Sequence, residues 1–256
     1  MTARLAGRCI LVTRPAAQAA PLAAKLRAEG AEPLLFPSIE IAPPSDRAAL
    51  AAVLDRLSEF HWAVFISPTA VARANEEVMA RGGWPENLRH AAVGSGSAKA
   101  LAALGIRGAV APAGQGDSEA LAALPELAEV AGQSIVIFRG EGGREVLRRE
   151  LEARGAQVEY AQVYRRVRPT ADAAPLVARW AAGAVHAVSI TSREGLENLV
   201  AMLGEPGVAW LRSAPVFVPH PRIEQAARAC GISKTILVAS GDDALIEALV
   251  SFFATV

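Results

Sequence analysis

Residues 134–166 read SIVIFRGEGGREVLRRELEARGAQVEYAQVYRR. Ile135 to Phe138 form a short, unalternating apolar run, the pattern of a strand covered on both faces in a parallel sheet. An Arg-Gly-rich turn follows, then an amphipathic helix, a glycine stop at Gly155 and a second extended run. The start of the chain has the same plan: Cys9 to Val12, Thr13-Arg14-Pro15, a helix ending near Glu29, Gly30, and an extended run to Ile41. Sliding one stretch onto the other by 125 residues places Arg14 on Arg139, Leu22 on Leu147 and Leu26 on Leu151. It also places Ala28-x-Gly30-Ala31 on Ala153-x-Gly155-Ala156. Matched punctuation of this kind marks an internal duplication.

The repeat continues on both sides. Trp62 to Ser67 resembles His186 to Thr191, each run opening a helix. Ala92-Val93-Gly94 with its helix to Leu104-Gly105-Ile106 resembles Val216-Phe217-Val218 with its helix to Cys230-Gly231-Ile232. Gly116-Asp117 resembles Gly241-Asp242, each before a helix. Each half is therefore a series of about four β-α units.

Prolines at 33, 37, 43 and 44 remove ladder donors and argue for an exposed connector rather than a central strand there. If connectors 33–43 and 157–168 pair, the fold is α/β: two similar parallel-sheet lobes, flavodoxin-like, joined by a two-stranded antiparallel ribbon. One lobe is discontinuous, residues 1–37 and 166–256, and the other, residues 38–165, is inserted into it. A ligand would lie in a cleft between the lobes, beyond the carboxyl ends of the strands. Within the lobes, a helix ending at Leu203, a strand segment starting at Val110 and a strand from Thr235 to Ala239 are expected.

The 256 residues carry 26 basic and 26 acidic side chains, with a pI near 6.9. That balance lacks the basic excess of a nucleic-acid or acidic-membrane binder. No apolar run reaches a spanning length and the first residues do not resemble a signal peptide, so a cytoplasmic protein is expected. Cys9 and Cys230 read as small buried hydrophobes under reducing conditions.

His61, His90, His186, His220 and the two cysteines show no metal-ligand spacing. Gly94-x-Gly96 lacks the third glycine of a dinucleotide fingerprint, and no Walker lysine is present. The positive signal is a set of turns between strand carboxyl ends and helix N-termini: Thr13-Arg14, Ser67-Pro68-Thr69, Ser95-Gly96-Ser97, Arg139-Gly140, Thr191-Ser192 and His220-Pro221-Arg222. Gly114 to Ser118 forms a further helix-capping turn. Free N–H groups, hydroxyls and helix dipoles there favour anions. Arg14 and Arg139 add fixed charge suited to carboxylates. Each Ser or Thr alone is also an ordinary N-cap; six such turns together favour a polyanionic ligand.

At these residues a family resemblance emerges. LVTRP (11–15), FISPTAV (65–71), AVGSGSAKAL (92–101), GDSEAL (116–121), QVYRR (162–166), SITSREGL (189–196) and VPHPRI (218–223) together resemble uroporphyrinogen-III synthases over nearly the whole chain. The resemblance implies the same two-lobed fold and a carbon–oxygen lyase of haem biosynthesis. Hydroxymethylbilane, a linear tetrapyrrole with eight carboxylates, would be cyclised with loss of water and inversion of ring D. No cofactor or metal is implied; a monomer is expected, with the preceding pathway enzyme as the candidate partner. Tyr164 matches the tyrosine of the family's second connector and is the catalytic candidate. Alternation along that connector would send Gln162, Tyr164 and Arg166 to one side. Ser67, Thr191 and Ser192 match the family's T-S turns, which resemble tetrapyrrole-contacting positions, and Ser97 sits where many members have threonine after the glycine turn; Ser95, Arg14 and Arg139 complete the expected substrate-binding set from the turns above. His220 and Arg222 stand where the family carries a G-P-x-T turn, a departure from the pattern. The reading from a different class is a non-enzymatic two-lobed module that binds a small polyanion.

Overall fold

A computed structural model describes residues 3–113 and 116–255; Gly114 and Gln115 of the expected capping turn lie outside the described residues. In chain order the elements are β1 Cys9–Val12, α1 Ala16–Ala28, β2 Glu32–Leu35, β3 Glu40–Ala42, α2 Arg47–Leu54, β4 Trp62–Phe65, α3 Pro68–Met79, β5 Arg89–Ala92, α4 Ser95–Ala103 and α5 Ser118–Ala122. There follow β6 Ser134–Gly140, α6 Val146–Ala153, β7 Gln157–Val167, α7 Ala174–Ala181, β8 Ala187–Ser189, α8 Arg193–Ser213, β9 Val216–Val218, α9 Pro221–Ala229, β10 Thr235–Leu237 and α10 Asp242–Ala254. The chain divides into two compact units, Met1–Glu40 with Val167–Val256, and Ile41–Arg166. Among the described residues no helix is long and apolar enough to cross a membrane.

In the first unit the strand order is β10-β9-β8-β1-β2, and each neighbouring pair runs parallel. Consecutive residues of β1 feed opposite faces: Leu11 joins a core with Val188, Val216 and Leu199, while Ile10 and Val12 join Leu22, Leu26, Phe217 and Leu249. Both faces of the strand are thus covered, which is why its sequence shows no polar alternation. Fully burying one such aliphatic side chain is worth about 1.5–3 kcal/mol.

The second unit has the order β3-β7-β6-β4-β5. Aligning β6 with β1, β7 with β2, β4 with β8 and β5 with β9 shows the same topology, with the chain entering at a different strand. Ala63, Phe65, Val136 and Phe138 pack on one face; Trp62, Val64, Ile135 and Ile137 pack on the other.

Several local expectations are revised. Pro33 sits in β2, an edge strand, where its missing N–H costs no ladder bond, so much of the first connector belongs to a sheet. The ribbon is β3 beside β7 at the edge of the second sheet. The helix that starts at Arg193 ends at Leu203 as expected, because the chain breaks at Gly204 (φ +61°); unexpected is a second helix from there to Ser213, with Pro206 in its opening turn, where proline is tolerated. Val110 makes only an isolated parallel bridge to Ala91, and β10 stops at Leu237, two residues short of the expected end.

Candidate functional site

In an open parallel sheet, ligands collect where the strand order reverses, beyond the carboxyl ends of the two strands that flank that point. Here those strands are β1 and β8 in the first unit, and β6 and β4 in the second. The expected residues Arg14, Thr191 and Ser192 follow β1 and β8, while Arg139 ends β6 with Gly140 and Ser67 follows β4.

At the first switch point, Thr13 is buried and its Oγ1 donates to the Ser189 carbonyl at 2.8 Å, tying β1 to β8. Ser38 Oγ donates to the Thr13 carbonyl at 3.3 Å, and Asn198 Nδ2 donates to the Ser38 carbonyl at 2.9 Å. Arg14 is ion-paired with Asp242 of the first turn of α10. Its Nε is buried and has no hydrogen-bond partner among the described residues. Ser192 caps α8, its Oγ accepting from Gly195 N at 2.9 Å, and Thr191 precedes it, half-buried. His220 caps α9 by accepting from Arg222 N at Nδ1, 3.1 Å, and both side chains are exposed.

At the second switch point the geometry is tighter. Ser67 caps α3, its Oγ accepting from Ala70 N at 3.0 Å. The same oxygen lies 3.3 Å from the Tyr164 hydroxyl. Tyr164 is 6 % exposed and lies over Gly140, where an added Cβ would sit 2.7 Å from ring atoms Cε2 and Cζ. Register explains how it gets there. Arg139 pairs with Gln162 but Gly140 pairs with Tyr164, so β7 carries one extra residue, Val163. That bulge overturns the expected alternation: Tyr164 joins Ala161 and Val163 in one core, rather than sharing a side with Gln162.

Ser95 and Ser97 lie in the first turn of α4 after Gly94, the former exposed and the latter 4 % exposed. Arg139 turns to the face opposite Tyr164. Its guanidinium stacks over Tyr160 at 4.4 Å and donates to the carbonyls of Gly140, Gly142 and Arg144. Burial pushes the Tyr160 phenol above its ordinary pKa, with Arg139 opposing the shift. The second unit thus holds Ser67, Ser95, Ser97, Arg139 and Tyr164 at one sheet edge, and the first holds Arg14, Thr191, Ser192, His220 and Arg222 at the other. The sequence offered Gly140 only as half of the Arg139-Gly140 turn, with no contact to Tyr164, and did not point to Tyr160 or Asp242 as site residues. Asp242 was accessible through the matched Gly116-Asp117 and Gly241-Asp242 pairs; the other two depend on the bulge and on packing.

The family described as uroporphyrinogen-III synthase HemD matches residues 20–247. A uroporphyrinogen-III synthase of Salmonella typhimurium (strain LT2) is 34% identical over 243 residues, 94% of this chain and 99% of that protein. The Escherichia coli (strain K12) enzyme of the same name shows the same identity and coverage. Among solved structures, a uroporphyrinogen III synthase of Thermus thermophilus has a similar fold, with a TM-score of 0.63 at 17% identity, covering 97% of this chain and 100% of that one. From the matched length and the two switch points alike, this chain belongs to the uroporphyrinogen-III synthase family, the cyclising lyases of tetrapyrrole biosynthesis.

Proposed function

We propose that this chain converts hydroxymethylbilane to uroporphyrinogen III, with the Tyr164 hydroxyl as the proton donor at the leaving oxygen. The carrying observation is the 3.3 Å approach of Tyr164 OH to Ser67 Oγ at a sheet switch point. Ser67 Oγ already accepts from Ala70 N, so its own proton is free to go to the phenol oxygen. The Tyr164 proton is then free to point at substrate, without a change in its charge state.

The ring A hydroxyl leaves with that proton as water. The electrophilic methylene left on ring A bonds to ring D at its substituted position and gives a spiro-pyrrolenine. The bond from ring D to its old bridging carbon then breaks and re-forms on the other side of the ring, inverting it, and a ring proton is released. Carboxylates of the substrate are held by Arg14, Arg139 and the capped turns at Ser67, Ser95, Ser97, Thr191, Ser192, His220 and Arg222, which present hydroxyls, N–H groups and charge. Cys9 and Cys230, both free thiols, support a reducing cytoplasmic setting.

The test is incubation with freshly generated hydroxymethylbilane. Type III uroporphyrinogen should form above the spontaneous type I background, and Tyr164→Phe should lower turnover by roughly a hundredfold or more. Type I product alone would refute the activity. A Tyr164→Phe enzyme keeping more than about a third of wild-type turnover, far short of that effect, would remove Tyr164 as the acid.

A further inference from the structure

The duplication gives each unit an arginine at the carboxyl end of its central strand, and the two arginines are treated differently. Arg14 meets the carboxylate of Asp242. Sliding by 125 residues puts Arg139 in the place of Arg14 and Asp117 in the place of Asp242. Asp117 does not repeat the pairing: it is exposed, and its Oδ1 accepts from Ala120 N at 2.8 Å as the cap of α5. Arg139 is 4 % exposed, and among the described residues no carboxylate pairs with it. Three loop carbonyls and the Tyr160 ring face it, which supply dipoles but no net negative charge. A buried cation without a counter-ion is costly and ordinarily finds one.

This guanidinium lines a cavity of about 180 Å³ whose other walls are the apolar Ile66, Val93, Ile137 and Leu147, with Tyr160, Ser118 and Arg144. The cations nearby have partners of their own: Arg144 meets Glu119 at 2.9 Å and Arg148 meets Glu152 at 2.7 Å. Arg139 alone faces the space uncompensated. Its fork carries five N–H donors, of which the loop engages three.

We propose that this cavity is a subsite for one carboxylate on a short aliphatic stem, held by the free donors of Arg139, with Ile66, Val93, Ile137 and Leu147 around the stem. The volume is several times the roughly 30 Å³ share of a water molecule: room for one acidic side arm, not for a pyrrole macrocycle. The carboxylate chemistry stands on Arg139 itself; that the arm belongs to hydroxymethylbilane rests on the function proposed above.

The experiment fills the cavity without touching the arginine or its loop, with Val93→Leu and Val93→Phe as a graded pair. Each is measured for thermal stabilisation by propionate against chloride at equal ionic strength, and for steady-state conversion of hydroxymethylbilane. The wild type should gain stability with propionate, and the gain should shrink in order of side-chain size. KM should rise in the same order, by about tenfold or more in Val93→Phe, the worth of one charge-assisted hydrogen bond. If type III product forms with unchanged KM in both variants, the arm assignment is overturned while the activity stands. If the wild type makes no type III product but the propionate effect disappears in Val93→Phe, the carboxylate site stands and the proposed activity falls. If neither propionate binding nor KM responds, the subsite is refuted outright.

Discussion

Gly140→Ala is the sharpest perturbation available in this chain. Gly140 is not among the glycines with positive φ, so alanine meets no backbone strain there. The whole cost comes from the new methyl, which would stand 2.7 Å from Cε2 and Cζ of Tyr164 and 3.1 Å from its hydroxyl. Carbon atoms in ordinary contact sit about 3.5–4.0 Å apart, so the ring has to retreat by about 1 Å. Overpacking of that kind costs about 1–3 kcal/mol of stability, a loss visible as a modest fall in Tm. A displacement of about 1 Å at a reacting group can cost on the order of a hundredfold in rate. The expected result is therefore a folded protein whose kcat for type III product falls about a hundredfold, with KM changed far less. The assay includes the double variant. Adding Gly140→Ala to Tyr164→Phe should cost little more, because the hydroxyl that the methyl displaces is already gone. Full additivity of the two losses, or a Gly140→Ala enzyme with near wild-type kcat, would refute the positioning role.

Other expectations follow from the same contacts. Ser67→Ala removes both the α3 cap, worth about 1 kcal/mol, and the partner of the phenol; kcat should fall roughly tenfold, as expected for one lost hydrogen bond, and Ser67→Thr should restore it, whereas wild-type kcat in Ser67→Ala would sever Ser67 from the chemistry. Asp242 is ion-paired with Arg14; if Arg14 holds a substrate carboxylate as proposed, Asp242→Asn should lower KM and Arg14→Ala should raise it, and a raised KM in Asp242→Asn would make the ion pair a positioning contact instead. His90 stacks on Phe65 and meets Trp84 edge-on, with Nε2 buried and unpartnered, and burial pushes its imidazole below 6.5. The neutral form is favoured in the fold, so the unfolded chain binds the extra proton first, and stability should drop as pH falls from about 6.5 towards the lower folded value. Tm measured against pH should lose part of that slope in His90→Phe; an unchanged slope would acquit His90.

The fold was legible because the duplication doubled every signal. β1 and β6 each show four apolar residues without alternation, and each returns after a helix closed by an Ala-x-Gly-Ala stop. Turns at strand ends were legible too, since Ser67 and Ser192 are N-caps wherever their helices begin. Three features were not. The extra residue at Val163 leaves no trace in a two-residue period, because Val163 and Tyr164 are each plausible on either face. Gly204 followed by Pro206 reads as a loop, yet a single left-handed residue suffices to restart a helix with proline in its opening turn. Arg139 and Arg14 look alike in sequence, and only the neighbours show that one is neutralised and the other is not.

That asymmetry bears on how a duplicated fold acquires a single reaction. The 125-residue shift sets Pro15 against Gly140 and Ile39 against Tyr164, and the 124-residue shift of the neighbouring run sets Thr191 against Ser67. The first unit therefore has a hydroxyl at the switch point, but no phenol to meet it and no bare strand end for a ring to lie on. Its arginine is already matched by Asp242, whereas the second unit leaves Arg139 open and places a phenol beside a serine. Identical topology supplied both edges with capped turns able to hold anions. If the reaction proposed above sits at only one of them, three local differences set it apart: a glycine at 140, a bulge at Val163 that brings Tyr164 into the core, and an acid, Asp117, that caps α5 instead of pairing with Arg139. Gly140 and Tyr164 can each be exchanged for the first unit's residue, proline or isoleucine, and a carboxylate can be placed beside Arg139 separately. The expectation is that reversions at 140 and 164 act on turnover, while a carboxylate restored to Arg139 acts on affinity.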